Sequence, residues 1–471
     1  MMGYDGGWMV LSEAQEAMMT DQGFFLPVPE GAARRLAAGW LKLALYSLVG
    51  AGLVVILILV ARTPVVHDWL PWTGSFKTAL VIHVDLSVLV WFLSYAGFLA
   101  CLGGGGGGGI GFVALGVSFA GALLITFAPF LGADAPYMNN YIPVLENGAF
   151  FVGLVLFLLG SGVMAGYGLR MRPPEGGWTP GGWALRFGVA SGLWIVLLSL
   201  VSWVWGYLTM PAIGERLAYY EVLFWGGGHL LQFTHTQLVM VAWLWLASAG
   251  GGREPLTPRV AVLLLSLGAL PVLAGPVLHW LYRPGDPGFQ SGFADLMKYG
   301  GGVAALPVGL AAWWGARGAS DTGGQPLRLA LRLSLVLFGV GGGIGFLIQG
   351  LNVTIPSHYH GEIVAVTVAY MGLTYLLLPR LGFRVPDGRW AAVQLWAYGG
   401  GSLLHVFGLA WSGMLGVQRK TAGAAQGLET LPKKLAMGLT GIGGGIAVIG
   451  GILFLVICYR AMRRQGTHGG A

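Results

Sequence analysis

Apolar residues run through this chain in stretches of about twenty, the length that crosses a bilayer at about 1.5 Å per helical residue. They fall near 38–61, 78–101, 111–131, 147–169, 184–209, 220–249, 259–282, 294–316, 328–354, 357–379, 390–416 and 435–460, with short polar connections between them. The pattern predicts an all-α, polytopic membrane bundle of about twelve transmembrane helices, with no soluble domain and no internal repeat. The leader before the first run is polar and acidic and contains Pro27 and Pro29. It lacks the basic start and short apolar core of a signal peptide, so 41–60 reads as a retained first span. The expected organisation is a leader over 1–36, a membrane domain over 37–461 and a tail over 462–471.

Composition agrees with that class. Hydrophobic residues make up 55% of the chain, charged ones only 10%, and the mean hydropathy is +0.72, whereas soluble domains carry about 25% charged residues. The net charge of +7 does not point to nucleic acid, because its location reads as topology. Arg34 and Arg35, Arg170 and Arg172, Arg253 and Arg259, Arg317 with Arg328 and Arg332, Arg380 with Arg384 and Arg389, and Arg460 with Arg463 and Arg464 mark the two termini and alternate connections. The intervening loops are poorer in basic residues, apart from Arg419, Lys420, Lys433 and Lys434. By the positive-inside rule both termini are expected to be cytoplasmic, in a plasma membrane of bacterial type. Cys101 and Cys458 sit in or beside apolar runs without CxxC spacing and read as inert thiols. The glycine run over 103–109 carries no weight in this reading.

Ionisable groups inside spans are costly and are functional candidates for that reason. His83 lies just inside the second predicted helix, His229 about two turns into the sixth, His279 near the end of the seventh, and His358 and His360 open the tenth. With the expected orientation all five lie at similar depth in the outer half of the bilayer, an arrangement suited to metal or cofactor ligation. Residues two apart on a helix point about 200° apart. His358 and His360 are therefore expected to face two cofactors on opposite sides of their helix, and imidazole is a common axial ligand of haem iron.

The motifs carrying these histidines are His83-Val-Asp-Leu, Trp225-Gly-Gly-Gly-His229, Ala274-Gly-Pro with His279-Trp-Leu-Tyr282, Ser357-His358-Tyr359-His360, and Gly413-Met-Leu-Gly-Val-Gln-Arg419-Lys420. In order and spacing the chain resembles the catalytic subunit I of the haem–copper oxidase and nitric oxide reductase superfamily. The resemblance implies two haems and one non-haem metal, copper or iron. His83 and His360 would be the axial ligands of a low-spin haem, His358 the proximal ligand of a high-spin haem, and His229 and His279 ligands of the metal. Arg419 and Lys420 would pair with haem propionates. An electron-donor subunit, a c-type cytochrome or a copper-domain protein, is the implied partner, since no CxxCH motif occurs in this chain.

Two departures from the family pattern shape the functional expectation. Where the family usually has adjacent histidines in helix seven, this chain has Leu278-His279-Trp280, so one metal ligand needs a substitute, with Gln232 or water as candidates. The tyrosine that oxidases place four residues after the helix-six histidine is replaced by Phe233, and 262–273 contains no tyrosine. Splitting O2 takes four electrons at once, whereas reducing two NO to N2O takes two. The expectation is therefore NO reduction, with reduction of O2 to water as the alternative and a polytopic proton or metal transporter as a remoter one. His235 is expected to be a packing or relay residue and His405 a satisfied core residue. Glu221 and Lys298, each at the outer start of a helix, are candidate proton-entry groups, and Glu362 is expected near His358.

Overall fold

The computed structural model describes residues 23–63, 75–104, 108–132, 135–174, 177–251, 253–317 and 324–463. His67, His468, the leader before residue 23, the tail beyond 463 and the middle of the glycine run lie outside them.

Among the described residues twelve helical segments follow one another as predicted. They are α1 (Gly31–Arg62), α2 (Phe76–Ala100), α3 (Gly109–Phe127), α4 (Gly148–Leu169), α5 (Pro180–Leu208), α6 (Arg216–Ala249) and α7 (Pro258–Leu281). A broken α8 comes next (Pro287–Gly300 and Ala305–Gly315), then α9 (Gln325–Gly345), α10 (Thr354–Arg380), α11 (Gly388–Leu395, Trp396–Gly400 and Gly401–Met414) and α12 (Leu431–Arg463). Ten of them are long and apolar enough to cross a membrane without interruption. The chain is a multi-pass membrane protein.

Three local expectations are corrected. The eighth helix is not continuous, because the run Gly300-Gly301-Gly302 opens into a turn, and glycine weakens a helix interior. Lys298 accordingly sits near the end of the first half of α8, exposed and over the Tyr299 ring, not at an outer helix start. The ninth helix stops at Gly345 instead of running on to 354. A loop with Gly350 at φ +73° follows, and Asn352 accepts from the Thr354 N–H at the start of α10.

Burial divides the helices by position. The spans of α6 and α10 are each 83% buried within the bundle and that of α2 is 72% buried, while those of α7 and α12 are 28% buried. Four of the five singled-out histidines thus lie on the three most buried spans. α10 packs on α9 and α11, α6 on α5, and α1 on α2. Gly341 of α9 meets Gly361 of α10 closely; a Cβ on either would overlap the other backbone.

Leu270–Leu273 in α7 tightens to 3-10 helix, and two stretches are wound as π-helix, Asp85–Val90 in α2 and Trp396–Gly400 in α11. Such bulges are frequent at functional sites. Between α3 and α4 the chain forms a hairpin, with β1 (Pro136–Tyr137) antiparallel to β2 (Val144–Leu145). Its tip reaches back over the bundle.

Candidate functional site

The histidines fall into groups. His83 lies two residues before the π segment of α2, and its Nδ1 is 3.2 Å from the Ala51 carbonyl of α1. His360 of α10 has Nδ1 2.7 Å from the Pro356 carbonyl. His405 of α11 has Nδ1 2.9 Å from the Thr440 carbonyl of α12, and its ring centroid is 5.1 Å from that of His360. A carbonyl only accepts, so each Nδ1 carries the proton and each Nε2 keeps its lone pair. That is the pattern by which proteins present an imidazole to a metal. All three rings are half-exposed, although α2 and α10 lie deep in the bundle. Arg62, at the end of α1, acts electrostatically on His360 and His405, and its Nε and one terminal nitrogen have no partner among the described residues. Asp85, two residues beyond His83, is fully buried, and neither of its oxygens has a hydrogen-bond partner among the described residues.

His358 turns the other way. Its Nδ1 lies 2.8 Å from the Gly341 carbonyl on α9, which the glycine-to-glycine approach of α9 and α10 brings within reach. Its Nε2 is 3.7 Å from a Glu362 oxygen, one turn along. His358 thus faces α9 while His360 faces α11, as their separation along the helix requires.

The third group is differently built. His229 is 4% exposed and His279 is 7% exposed, and both rings pack on Phe293 of α8, at 6.0 and 5.6 Å between centroids. His279 stacks on Trp205 of α5, its Nε2 is 2.7 Å from the Ser202 hydroxyl, and its Nδ1 has no partner among the described residues. His229 Nδ1 lies 2.8 Å from the Trp225 carbonyl, one turn back. Its Nε2 lies 2.7 Å from the hydroxyl of Tyr141, at the hairpin tip. That tyrosine was not singled out in the sequence, because nothing in a loop between helices three and four marks it as close to helix six. Gly228 permits the approach, since a Cβ there would overlap the Tyr141 ring. Burial holds the phenol well above its ordinary pKa, so its hydroxyl donates to the His229 lone pair.

The tip is fixed from several directions. Asn139 accepts from the Tyr141 and Ile142 N–H groups at 3.0 and 2.9 Å. The Asn140 N–H and side-chain amide donate to Glu221 of α6, the former at 3.0 Å. Arg419 donates to the Asn140 side-chain oxygen at 2.7 Å, and the Lys420 ammonium to the Met138 carbonyl. Lys420 holds φ 59°, an uncommon left-handed conformation for a residue with a side chain. Burial and the neighbouring Arg419 bring its ammonium down to about 8.

Glu221, expected as a proton-entry group, is thus an anchor of the hairpin. Arg419 and Lys420, expected at propionates, reach the same hairpin. Gln232 is half-buried one turn beyond His229; the side chain hydrogen-bonded to His229 is Tyr141. His235 lies away from that site, its ring 4.7 Å from Phe92 of α2. Among the described residues no three His, Cys, Asp or Glu side chains converge as a metal shell.

The imidazoles of His83, His360 and His358 fit haem ligation, with Nδ1 tied to a carbonyl and Nε2 free of one. His229 and His279 fit a metal only with a donor of another kind beside them.

No family model matches the chain. A solved chain of a haem–copper terminal oxidase dimer superposes with a TM-score of 0.68 at 15% identity, over 94% of this chain and 88% of that one. The chain has the fold of that haem–copper terminal oxidase. In sequence it is 30% identical to an uncharacterized protein of Rickettsia prowazekii over 91% of this chain and 96% of that protein, and belongs to the same family. A second uncharacterized protein, from Aquifex aeolicus, is 27% identical over 74% of this chain and 86% of its own length. Cytochrome c oxidase subunit 1 of Thermus thermophilus is 24% identical over 83% of this chain and 77% of its own. Within the haem–copper fold α2, α6, α7 and α10 carry the candidate ligands, and the hairpin over α6 adds Tyr141.

Proposed function

We propose that this chain is the catalytic subunit of a respiratory membrane reductase that converts NO to N2O at a high-spin haem and a non-haem metal. The observation carrying the reading is the opposed pair on α10, with His358 directed to α9 and His360 to α11. One short helix segment serves two sites. His83 and His360 would hold a low-spin haem, His358 a high-spin haem, and His229 and His279 the metal. When bound, these groups supply one-electron transfer and a place for two NO molecules to be joined.

The protein's own residues do the rest. The carbonyls of Ala51, Gly341 and Pro356 fix which nitrogen each histidine offers. Phe289 and Phe293, 1% and 0% exposed, keep water from His279 and His229. The Tyr141 hydroxyl hydrogen-bonds His229 and fixes its ring. Glu221 and Lys420 anchor the hairpin that carries Tyr141. The reaction consumes two electrons and two protons for each N2O and water formed. The electrons would come from a c-type cytochrome or copper-domain subunit, and the expected setting is a bacterial plasma membrane with the sites toward the outside.

Helices six and seven lack the oxidase tyrosine, and this favours NO. A second reading, reduction of O2 to water, is favoured by Tyr141, a tyrosine hydroxyl that reaches His229 from the hairpin. Consumption of NO and O2 by the purified complex with one artificial donor separates them. Faster NO loss with N2O as product supports the first reading; rapid O2 loss with little NO turnover overturns it in favour of the second.

A further inference from the structure

We propose that the exposed flank of α7 and α8 is an interface between two copies of this chain, closed by Asp295 of each copy against Lys298 of the other. This interface is independent of the haem and metal assignments above.

The two helices run side by side in opposite directions. Gly288 of α8 packs on Tyr282 and Gly292 on Leu278, where added Cβ atoms would overlap those side chains. Further along, Leu267, Leu270 and Pro271 face Leu296, Tyr299 and Val303 across a groove of about 390 Å³, and Asp295 lines it too. In that antiparallel register Asp295 stands level with Gly275 and Lys298 with Val272. These positions are six and nine residues in from Leu281, the end of α7, about 9 and 14 Å along the helix axis. The α7 span has 24 residues, a length only a few ångströms greater than a hydrocarbon core of about 30 Å. Both charges therefore lie at the depth of the lipid chains.

Asp295 and Lys298 are exposed, and so are Leu270, Leu273 and Tyr299 around them. Neither charge has an ion-pair or hydrogen-bond partner among the described residues; the Lys298 ammonium lies 5.4 Å from the Tyr299 ring. The other charges of these helices are at their ends, Arg259 in α7 and Asp286 capping α8. Ionisable groups at this depth face protein or water and find partners there. A lysine reaches the bilayer surface along its stem, but an aspartate is too short to do so. The carboxylate thus calls for a covering surface that brings a cation.

The face itself carries that cation. Residues three apart share one side of a helix, so Asp295 and Lys298 present opposite signs together. Helical side chains lean toward the N-terminus, which brings the ammonium back to the level of residue 295. A two-fold axis along the membrane normal sets the two α8 helices parallel. In such an interface a contact of one residue with another is repeated in reverse, so both ion pairs close at once. Any other membrane protein would need its own charge pair at this depth, whereas a second copy supplies it by symmetry.

The test counts copies of the full-length chain, in its complex, extracted with native lipid into discs and weighed particle by particle. Wild type is expected to contain two copies. Asp295→Lys and Lys298→Asp set like charges face to face, and each is expected to lower the two-copy fraction by about tenfold. Coexpressed under different tags, the two variants are expected to recover it as a mixed pair, because every lysine again meets an aspartate. A single copy in wild type overturns the proposal, and so does failure of the mixed pair to form from two folded variants. A second readout keeps both charges. With Tyr299→p-benzoylphenylalanine, irradiation of membranes is expected to join two copies of the chain; crosslinks to another polypeptide or to lipid alone overturn the proposal.

Discussion

The two halves of the candidate site achieve ligand placement in opposite ways. Around His83, His360 and His405 the work is done by helix backbones: each ring is pinned through Nδ1 to a carbonyl and remains half-exposed within the bundle. Around His229 and His279 the work is done by side chains: Trp205, Phe289, Phe293 and Tyr141 enclose both rings. The first arrangement suits a large planar group that stays in place. The second closes its rings in among side chains from several elements, one of them a loop. The lesson is that the backbone-built half depends little on any single neighbouring side chain, whereas the packed half depends on several.

Substitutions sharpen this contrast. The largest effect is expected at His83. His83→Ala removes one axial ligand, so the low-spin haem should be lost or become reactive toward CO. Turnover should fall by about a thousandfold, a loss of about 4 kcal/mol of transition-state stabilisation. Optical spectra with and without CO measure it. An unchanged low-spin spectrum would break the assignment of that half.

Gly228→Ala comes next. The new Cβ meets the Tyr141 ring, and overpacking of this kind costs about 1–3 kcal/mol. Turnover and non-haem metal should drop together by about tenfold while the low-spin spectrum stays as in wild type. If both haems are disturbed equally, the two halves are not independent.

This asymmetry also decides what the sequence could reveal. His83, His229, His279, His358 and His360 stand out because an ionisable residue in an apolar run is conspicuous, and the span count follows from run length alone. The opposite facing of His358 and His360 follows from helical periodicity. Tyr141 could not be read this way. It sits in a polar loop where tyrosine is ordinary, and only the fold brings residue 141 to residue 229. His405 was similarly read as a core residue, since only the packing of α11 on α10 shows its ring against His360. The break in α8 was marked by three successive glycines, yet in an apolar run these read as tolerable within a span.

A smaller effect is expected from Asn140→Ala, which removes the side-chain amide shared by Glu221, Arg419 and Lys420 while the residue-140 N–H still donates to Glu221. Hydrogen bonds to charged groups contribute about 1.5–3 kcal/mol each, net of exchange with water. The exposed position of Asn140 makes a severalfold loss of NO or O2 turnover the expected result, again with the low-spin haem unaltered.

The smallest effect concerns pH. Lys420 titrates near 8, below its unfolded value of 10.5. Its folded pKa is depressed, so the unfolded chain binds the extra proton between about pH 8 and 10.5. Holding the charge opposes folding below 8, and this cost is relieved as pH rises through that window. The loss of positive charge should also lower the reduction potential of a nearby haem as pH passes 8. Potentiometric titration of wild type and Lys420→Met checks both the step and its removal.

The central claim is that this bundle carries two haems in unlike sites, and one spectrum with a haem count tests it most directly. The account predicts a Soret band, two haems per chain in the purified protein, and CO binding to only one of them. A chain purified in folded form with no Soret band would contradict it, and would return the histidines to a proton or metal path through a transporter.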